Sequence, residues 1–252
     1  MSQYLVFQLH GPMASWGVDA PGEVRHTHAL PSRSALLGLL AAALGIRREE
    51  EARLNQFNEH YAFVVCASKH SHWARDFHTV QMPKEARKIR YFSRREELGN
   101  PNRLGTLISR RDYYTDGWWM VALKATPGAP VALDTLRDAL CRPVFPLCLG
   151  RKSHPLALPV LPLLLEGPCP EVLHAAHGFY REKLAALGKG NEKLAALQPE
   201  CCWEGEHDGL HETKVHRRRD RPLSRQHWLF GERIVSQGPL PLLKEESCIS
   251  QK

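Results

Sequence analysis

Tyr4-Leu5-Val6-Phe7-Gln8-Leu9-His10, then Gly11-Pro12-Met13-Ala14-Ser15-Trp16-Gly17, then Pro31-Ser32-Arg33-Ser34 opening an apolar run that stops at Gly45: this succession decides the fold. The first run alternates as a strand does, with Leu5, Phe7 and Leu9 on one face and Tyr4, Val6, Gln8 and His10 on the other. The two glycines frame a turn. Ser32 or Ser34 caps a helix, and Gly45 ends it. Leu36, Leu37, Leu39, Leu40 and Leu44 make that helix apolar nearly all round, so it is expected to be buried. Gly38 inside it costs about 1 kcal/mol against alanine, which predicts close packing on a sheet. A basic approach leads into this helix. Unpaired N–H groups and the positive end of the dipole favour an anionic backbone at such an entrance. Arg25, Thr27, Ser32, Arg33 and Ser34, with His26 and His28, are the first candidate set.

Outward from this opening, a short helix is expected from about Glu49 to Phe57, and a buried strand from Tyr61 to Ala67. A further strand is expected from Trp118 to Lys124, a helix from Val131 to Cys141, and a last strand after Arg142. The order strand, helix, strand, insertion, strand, helix predicts an α+β, modified ferredoxin-like (RNA-recognition-type) domain. Pro155 to Leu165 reads as extended edge structure. Residues 171–197 read as helices broken at Gly188-Lys189-Gly190, and Thr213–Arg219 with Arg225–Val235 as paired strands in a β-rich C-terminal part. The organisation expected is one domain over 1–252, with a basic thumb or arm inserted at 69–117 and a C-terminal elaboration over 143–252.

The chain has 252 residues, 43% of them hydrophobic, and a formal net charge of +7. That surplus points to an anionic partner, with nucleic acid the first candidate. Residues 69–111 hold eleven basic residues against four acidic ones, a surplus as large as the whole chain's. The longest apolar run, Ala35 to Ile46, is shorter than the ~20 residues a bilayer needs, and no signal peptide is read. A cytoplasmic protein that avoids membranes is expected. Seven cysteines without a secretion signal imply free thiols.

Four further constellations carry possible chemistry. In the insertion, Arg75, His78, Arg110 and Arg111 are interleaved with Trp73, Phe77, Tyr91 and Phe92. Guanidinium groups track a single-stranded RNA backbone, while rings stack on splayed bases. A solvated charged arm is the equally weighted alternative. Lys214 to Arg225 sets six basic residues against Asp220 alone, which suggests an anionic partner or a solvated loop. Leu149-Gly150-Arg151-Lys152-Ser153-His154-Pro155 is a glycine-led basic turn. Arg151 and Lys152 suit phosphate contacts, and a lysine with a histidine can assist 2′-hydroxyl attack. Cys201, Cys202, His207 and His211 are zinc-type ligands, but adjacent cysteines chelate poorly, so no metal is expected. No cofactor motif is present.

Gly11–Gly17, Pro31-Ser32-Arg33-Ser34-Ala35-Leu36-Leu37-Gly38-Leu39-Leu40 and Leu44-Gly45-Ile46 together resemble the opening of the CasD family. This family caps the 5′ end of the guide RNA in type I-E CRISPR Cascade. Arg75-Asp76-Phe77-His78-Thr79 is similar to the family's Arg-Asp-Tyr-His-Thr segment. Leu149-Gly150-Arg151-Lys152-Ser153-His154-Pro155-Leu156 is similar to its Leu-Gly-Arg-Arg-Ser-x-Pro-Leu turn. Arg225-Gln226 before an aromatic strand agrees as well. Residues 82–105 and 171–200 depart from the pattern. The resemblance implies an RNA-binding fold with a protruding thumb, binding of the crRNA 5′ handle, and contact with the Cascade backbone and large subunits. It also implies a role in antiviral defence, with target DNA met indirectly through the complex. A different subunit cuts the precursor in type I-E systems, so the resemblance implies a non-catalytic protein. The rival expectation is a metal-independent endoribonuclease, since a related type I-C subunit cleaves with tyrosine, lysine and histidine.

Overall fold

In the computed structural model, residues 2–17, 22–84 and 90–242 are described. The opening strand β1 (Gln3–His10) is buried on both faces, which the alternation alone did not reveal. Leu5, Phe7 and Leu9 enter one core, with leucines of α1 (Arg33–Ala43) and α4 (Leu133–Cys141). Tyr4 and Val6 enter a second core under α5 (Cys169–Ala186), with Val172, Leu173, Ala176 and Tyr180. The molecule is therefore three layers deep, helices against sheet against helix. Burying each such Leu or Phe stabilises by roughly 1.5–3 kcal/mol.

The central sheet is antiparallel throughout. It consists of β6 (Tyr61–Ser68), β9 (Trp118–Ala125), β10 (Leu163–Glu166), β11 (Leu197–Trp203), β12 (Lys214–Ser224) and β13 (Leu229–Pro239) together with β1. The strand order is β10-β1-β9-β6-β11-β13-β12. Helix α1 connects β1 towards β6, followed by α2 (Glu51–Glu59), and α4 lies between β9 and β10. The C-terminal strands share this one sheet: β10 pairs with β1 at one edge, and β11 pairs with β6 to begin the other. β11, holding Cys201 and Cys202, is a strand the sequence reading did not anticipate. Its Gln198, Pro199 and Glu200 break the apolar run, and a register irregularity falls between Leu197 and Cys201. The expected helical break at Gly188–Gly190 is present. Both glycines have positive φ, and a short 3₁₀ turn at Asn191–Ala195 follows.

Between β6 and β9 the chain makes a long antiparallel hairpin. β7 (His72–Pro83) pairs with β8 (Leu104–Thr115) over twelve registered positions, with the four-residue helix α3 (Arg94–Glu97) near its far end. Part of the expected basic arm, including Arg87 and Lys88, lies outside the described residues. The hairpin's near end is tied down by two-residue strands. β2 (Met13–Ala14) pairs with Thr115 and Tyr114, and β4 (Val24–Arg25) runs parallel to Arg110–Arg111. β3 (Trp16–Gly17) pairs with β5 (Thr27–His28) alongside. Trp16 is buried edge-on against Trp119, with ring centroids 5.1 Å apart.

Gly38 does not approach the sheet: a Cβ there would meet the Arg225 guanidinium at 3.6 Å. Arg225 donates to the Ser34 carbonyl, so the β12–β13 end lies across α1 and the glycine makes room for it. Among the described residues, no helix is long and apolar enough to cross a membrane.

Candidate nucleic-acid interface

The basic residues named from the sequence separate into two places. Arg25, Arg75, His78, Arg110, Arg111, Arg151 and Lys152 gather around the base of the β7–β8 hairpin and the glycine-led turn against it. Register places Arg25 opposite Arg111 and Val24 opposite Arg110. Arg151 reaches the same spot and donates to the Arg25 carbonyl at 3.5 Å. Burial first, then the charges of Arg111 and Arg25, hold the Arg151 guanidinium below the usual arginine range, with Asp112 and Asp76 opposing. Lys152 is exposed on the same turn.

Strand periodicity divides this cluster between two faces. On one, Arg75 is opposite Asp112 and Phe77 opposite Arg110. On the other, Asp76 is opposite Arg111 and His78 opposite Ser109. The first face is aromatic. Trp73 and Phe77 are exposed, Arg75 lies 5.1 Å from the Trp73 centroid, and Arg110 lies 5.9 Å from that of Phe77. Arg75 is already committed there. Its Nε and Nη2 donate to the two oxygens of buried Asp112 at 2.6 and 3.0 Å, and His26 Nδ1 donates to the same carboxylate at 3.0 Å. Hydrogen bonds from Arg75 hold the Asp112 carboxyl below the usual range against its burial, helped by His26. The second face carries Arg25 and Arg111, with Arg151 beside them. His78 is there too, 3.6 Å from Asp76, and the Tyr113 hydroxyl donates to Asp76 at 3.0 Å.

Two glycine motifs noted separately in the sequence build this base by packing on each other. Ser15 N–H donates to the Leu149 carbonyl at 3.0 Å, and Ser15 Oγ donates to the Asp112 carbonyl at 2.9 Å. A Cβ on Gly150 would lie 1.8 Å from the Ser15 carbonyl oxygen. One on Gly11 would lie 2.7 Å from both Leu149 Cδ1 and the Pro155 carbonyl oxygen. Only bare backbone allows this approach.

The helix entrance corrects the first expectation. Ser32 caps α1 by accepting from Ala35 N–H at 3.2 Å, and its hydroxyl meets that of Ser34 at 3.1 Å. The Arg33 N–H donates to Asp220 Oδ2 at 3.0 Å, so the chain's own carboxylate occupies the anion seat. The Arg33 side chain points inward. Its guanidinium donates to Glu204 and to the carbonyls of Asn58 and Tyr61, and the residue is only 7% exposed. Arg233 closes the network, donating to both oxygens of Asp220 at 2.5 and 3.0 Å and to Glu204 at 3.3 Å. Burial pushes the Glu204 carboxyl up, with Arg33 and Arg233 opposing, while Asp220 is held below its usual range by Arg233, Arg218 and the Arg33 N–H despite burial. Ser32, Arg33 and Ser34 thus serve the fold. Thr27 does too, its Oγ1 accepting from Trp16 N–H at 2.8 Å. Sequence reading missed the acids that do this. The signal was a lone acid inside a basic block: Asp220 within 214–225, and Asp112 directly after Arg110-Arg111.

His154 is 4% exposed, and its ring centroid lies 6.2 Å from that of Tyr113. Burial and then Arg151 lower its pKa. His207 is spent on the core. It donates through Nε2 to the Glu204 carbonyl at 3.0 Å and accepts the Tyr4 hydroxyl at Nδ1 at 3.1 Å, while burial brings it down to about 4. Cys201 sits opposite Cys66 on the neighbouring strand. Among the described residues, no group of three or more such side chains is placed to hold a metal ion.

Comparison with known proteins agrees with this architecture. CRISPR system Cascade subunit CasD of Escherichia coli (strain K12) is 33% identical over 168 residues, covering 64% of this chain and 70% of that protein. A solved chain described as a CRISPR RNA-guided surveillance complex superposes with a TM-score of 0.59 at 22% identity, covering 94% of this chain and 89% of that one. A second, described as a crystal structure of a Cas protein, gives 0.57 at 24% identity over 94% and 95%. The family model described as CRISPR-associated protein (Cas_Cas5) matches residues 4–236, which take in both glycine motifs, the hairpin and every strand of the large sheet except Gln3 of β1 and the last three residues of β13, and on that match the chain belongs to the CRISPR-associated Cas_Cas5 family.

Proposed function

We propose that this chain is the subunit of a type I-E CRISPR Cascade that holds the 5′ handle of the guide RNA without cutting it, in contact with backbone and large subunits. Its central strands β10-β1-β9-β6, with α1 and α4 on one face, are read as a modified ferredoxin-like unit, and the β7–β8 hairpin as its thumb. The observation that carries the reading is the convergence of Arg25, Arg111 and Arg151 at the thumb's base. Three guanidinium groups crowded closely enough for Arg111 and Arg25 to help lower the pKa of Arg151 form a site for a polyanion, and their planar forks suit phosphate. On the opposite thumb face, exposed Trp73 and Phe77, each beside an arginine, suit stacking of an unpaired base.

Changing Arg25, Arg111 and Arg151 together to alanine is expected to weaken handle RNA binding at least tenfold. The log–log salt slope should become shallower by about 2, at ~0.7 per phosphate contact. Titration of labelled handle RNA at several salt concentrations reads both, and an unchanged slope would place the RNA elsewhere.

A cutting role does not suit the groups present. His154 is enclosed, and the Tyr113 hydroxyl, hydrogen-bonded to Asp76, has its pKa raised, which works against its use as a nucleophile or base. Repeat RNA incubated with the protein in EDTA is expected to stay intact. Specific cleavage abolished by His154→Ala would instead establish the endoribonuclease reading.

A further inference from the structure

The buried network around Arg33 borders a small cavity that side chains leave unfilled. Arg33 of α1, Glu204 after β11, Arg218 of β12 and Arg233 of β13 all line it, together with apolar groups such as Phe63 and Val235. Its volume is about 20 Å³. That is room for one water or one ion of similar size, and too little for a phosphate or a carboxylate.

The charges here do not cancel. Three guanidinium groups, Arg33, Arg218 and Arg233, meet two carboxylates, Glu204 and Asp220, and the five side chains are only 8% to 14% exposed. No other group nearby supplies the missing negative charge. Burial pushes the Cys202 thiol, which also lines the cavity, up to about 11, so it stays neutral. Burial and then Arg218 lower the pKa of His28, which favours its neutral form. One positive charge is therefore left over where charges are poorly solvated, and an uncompensated charge there is costly. The donors do not cancel either. Arg218 Nη2 reaches the Leu30 carbonyl at 3.5 Å, at the limit of a hydrogen bond. Arg218 Nε is buried without a hydrogen-bond partner among the described residues, and Asp220 Oδ2 is 3.7 Å from it, beyond hydrogen-bond reach. A buried donor left without an acceptor is destabilising, and native proteins mostly avoid one.

We propose that this cavity is a halide site, in which one chloride ion accepts from Arg218 Nε and neutralises the surplus charge between α1 and the β12–β13 strands. A water would answer the donor and leave the charge. A polyatomic anion would answer the charge and not fit. A single monatomic anion does both. Because its arginines come from α1, β12 and β13, the bound ion ties the C-terminal strands to the first helix. The site stands on its own observations and does not need the handle-binding reading.

The test follows the thermal unfolding of the full chain without RNA in sodium chloride, sodium bromide and sodium gluconate at equal ionic strength. Chloride and bromide are expected to raise the midpoint by a few degrees over gluconate, along a curve that saturates as a binding site does. Arg218→Gln removes the donor and the surplus charge together, so the halide increment should vanish. Val235→Ile places an extra methyl group in the cavity and leaves every charge in place. It too should lose the increment, while its midpoint in gluconate stays at or above the parental one, so the proposal remains testable if Arg218→Gln fails to fold. Crystals grown in bromide should show an anomalous peak within reach of Arg218 Nε. Equal midpoints in all three salts, or a cavity holding only water in bromide crystals, would overturn the proposal. A halide increment undiminished in Val235→Ile would overturn it as well, since the ion would then be bound elsewhere.

Discussion

Arg33→Ala is expected to destabilise the protein by about 3–5 kcal/mol, because it strands Glu204 in the interior with part of its compensation gone. Arg33 and Glu204 are both nearly enclosed, with side-chain exposures of 8% and 12%. The same change also empties donors to the Asn58 and Tyr61 carbonyls. At roughly 2–4 °C per kcal/mol for a chain near this size, the unfolding midpoint should drop by about 10 °C. The effect depends on pH in a definite direction. Burial raises the folded-state pKa of Glu204, and the charge of Arg33 opposes that rise more than any other neighbour does. Removing Arg33 lifts the carboxyl further above its unfolded value of about 4.3. The folded variant then holds the proton more tightly than the unfolded chain, so its penalty is full at neutral pH and shrinks as pH falls towards that unfolded value. Arg33→Ala combined with Glu204→Gln should recover much of the loss, since no ionised carboxylate is left unpaired. Urea unfolding at pH 7 and pH 5 measures all of this. A variant as stable as the parent that had lost only RNA affinity would show that the guanidinium faces solvent, and would restore the helix entrance as the binding seat.

How far the sequence could be read depended on how local the deciding physics was. β1, α1, β6, β9 and α4 follow from period-2 and period-3.6 patterning and from caps within a few residues, and each lies close to its expected place. β11 was missed because Gln198, Pro199 and Glu200 interrupt its apolar residues and its pairing with β6 joins segments well over a hundred positions apart in sequence. The same limit governs the site. Arg25, Arg111 and Arg151 are recognisable as basic residues in loops and turns, but their meeting depends on one parallel two-residue pairing and one turn-to-turn contact. Arg33 shows the converse. A serine-capped helix after a basic loop is locally the pattern of an anion site, and Asp220, 187 positions away, fills it. Local reading identifies what a segment can bind but not which partner in the same chain has already bound it.

Gly150→Ala is the second large expected effect, and it links backbone geometry to RNA binding. Gly150 has a φ of +87°, where a side chain is strained, and its added Cβ would sit 1.8 Å from the Ser15 carbonyl oxygen. Ser15 cannot yield cheaply, since its N–H is bonded to Leu149 and its hydroxyl to the Asp112 carbonyl. Conformational strain alone costs about 1–3 kcal/mol, and the collision adds to it. The turn must therefore shift, carrying Arg151 away from Arg25 and Arg111. The expected result is a loss of about 3 kcal/mol in stability together with a roughly tenfold loss of handle RNA affinity in protein that remains folded. If the affinity loss acts through Arg151, Gly150→Ala with Arg151→Ala should bind no worse than Gly150→Ala alone, because a displaced guanidinium has nothing further to lose. Gly17→Ala is the control within the same packed pair of turns. An added Cβ there meets nothing within 4 Å, so stability and affinity should stay at parental values. If Gly150→Ala left both the unfolding midpoint and the RNA affinity unchanged, the two glycine turns would not be holding Arg151 in the site, and the convergence of the three arginines would need another cause.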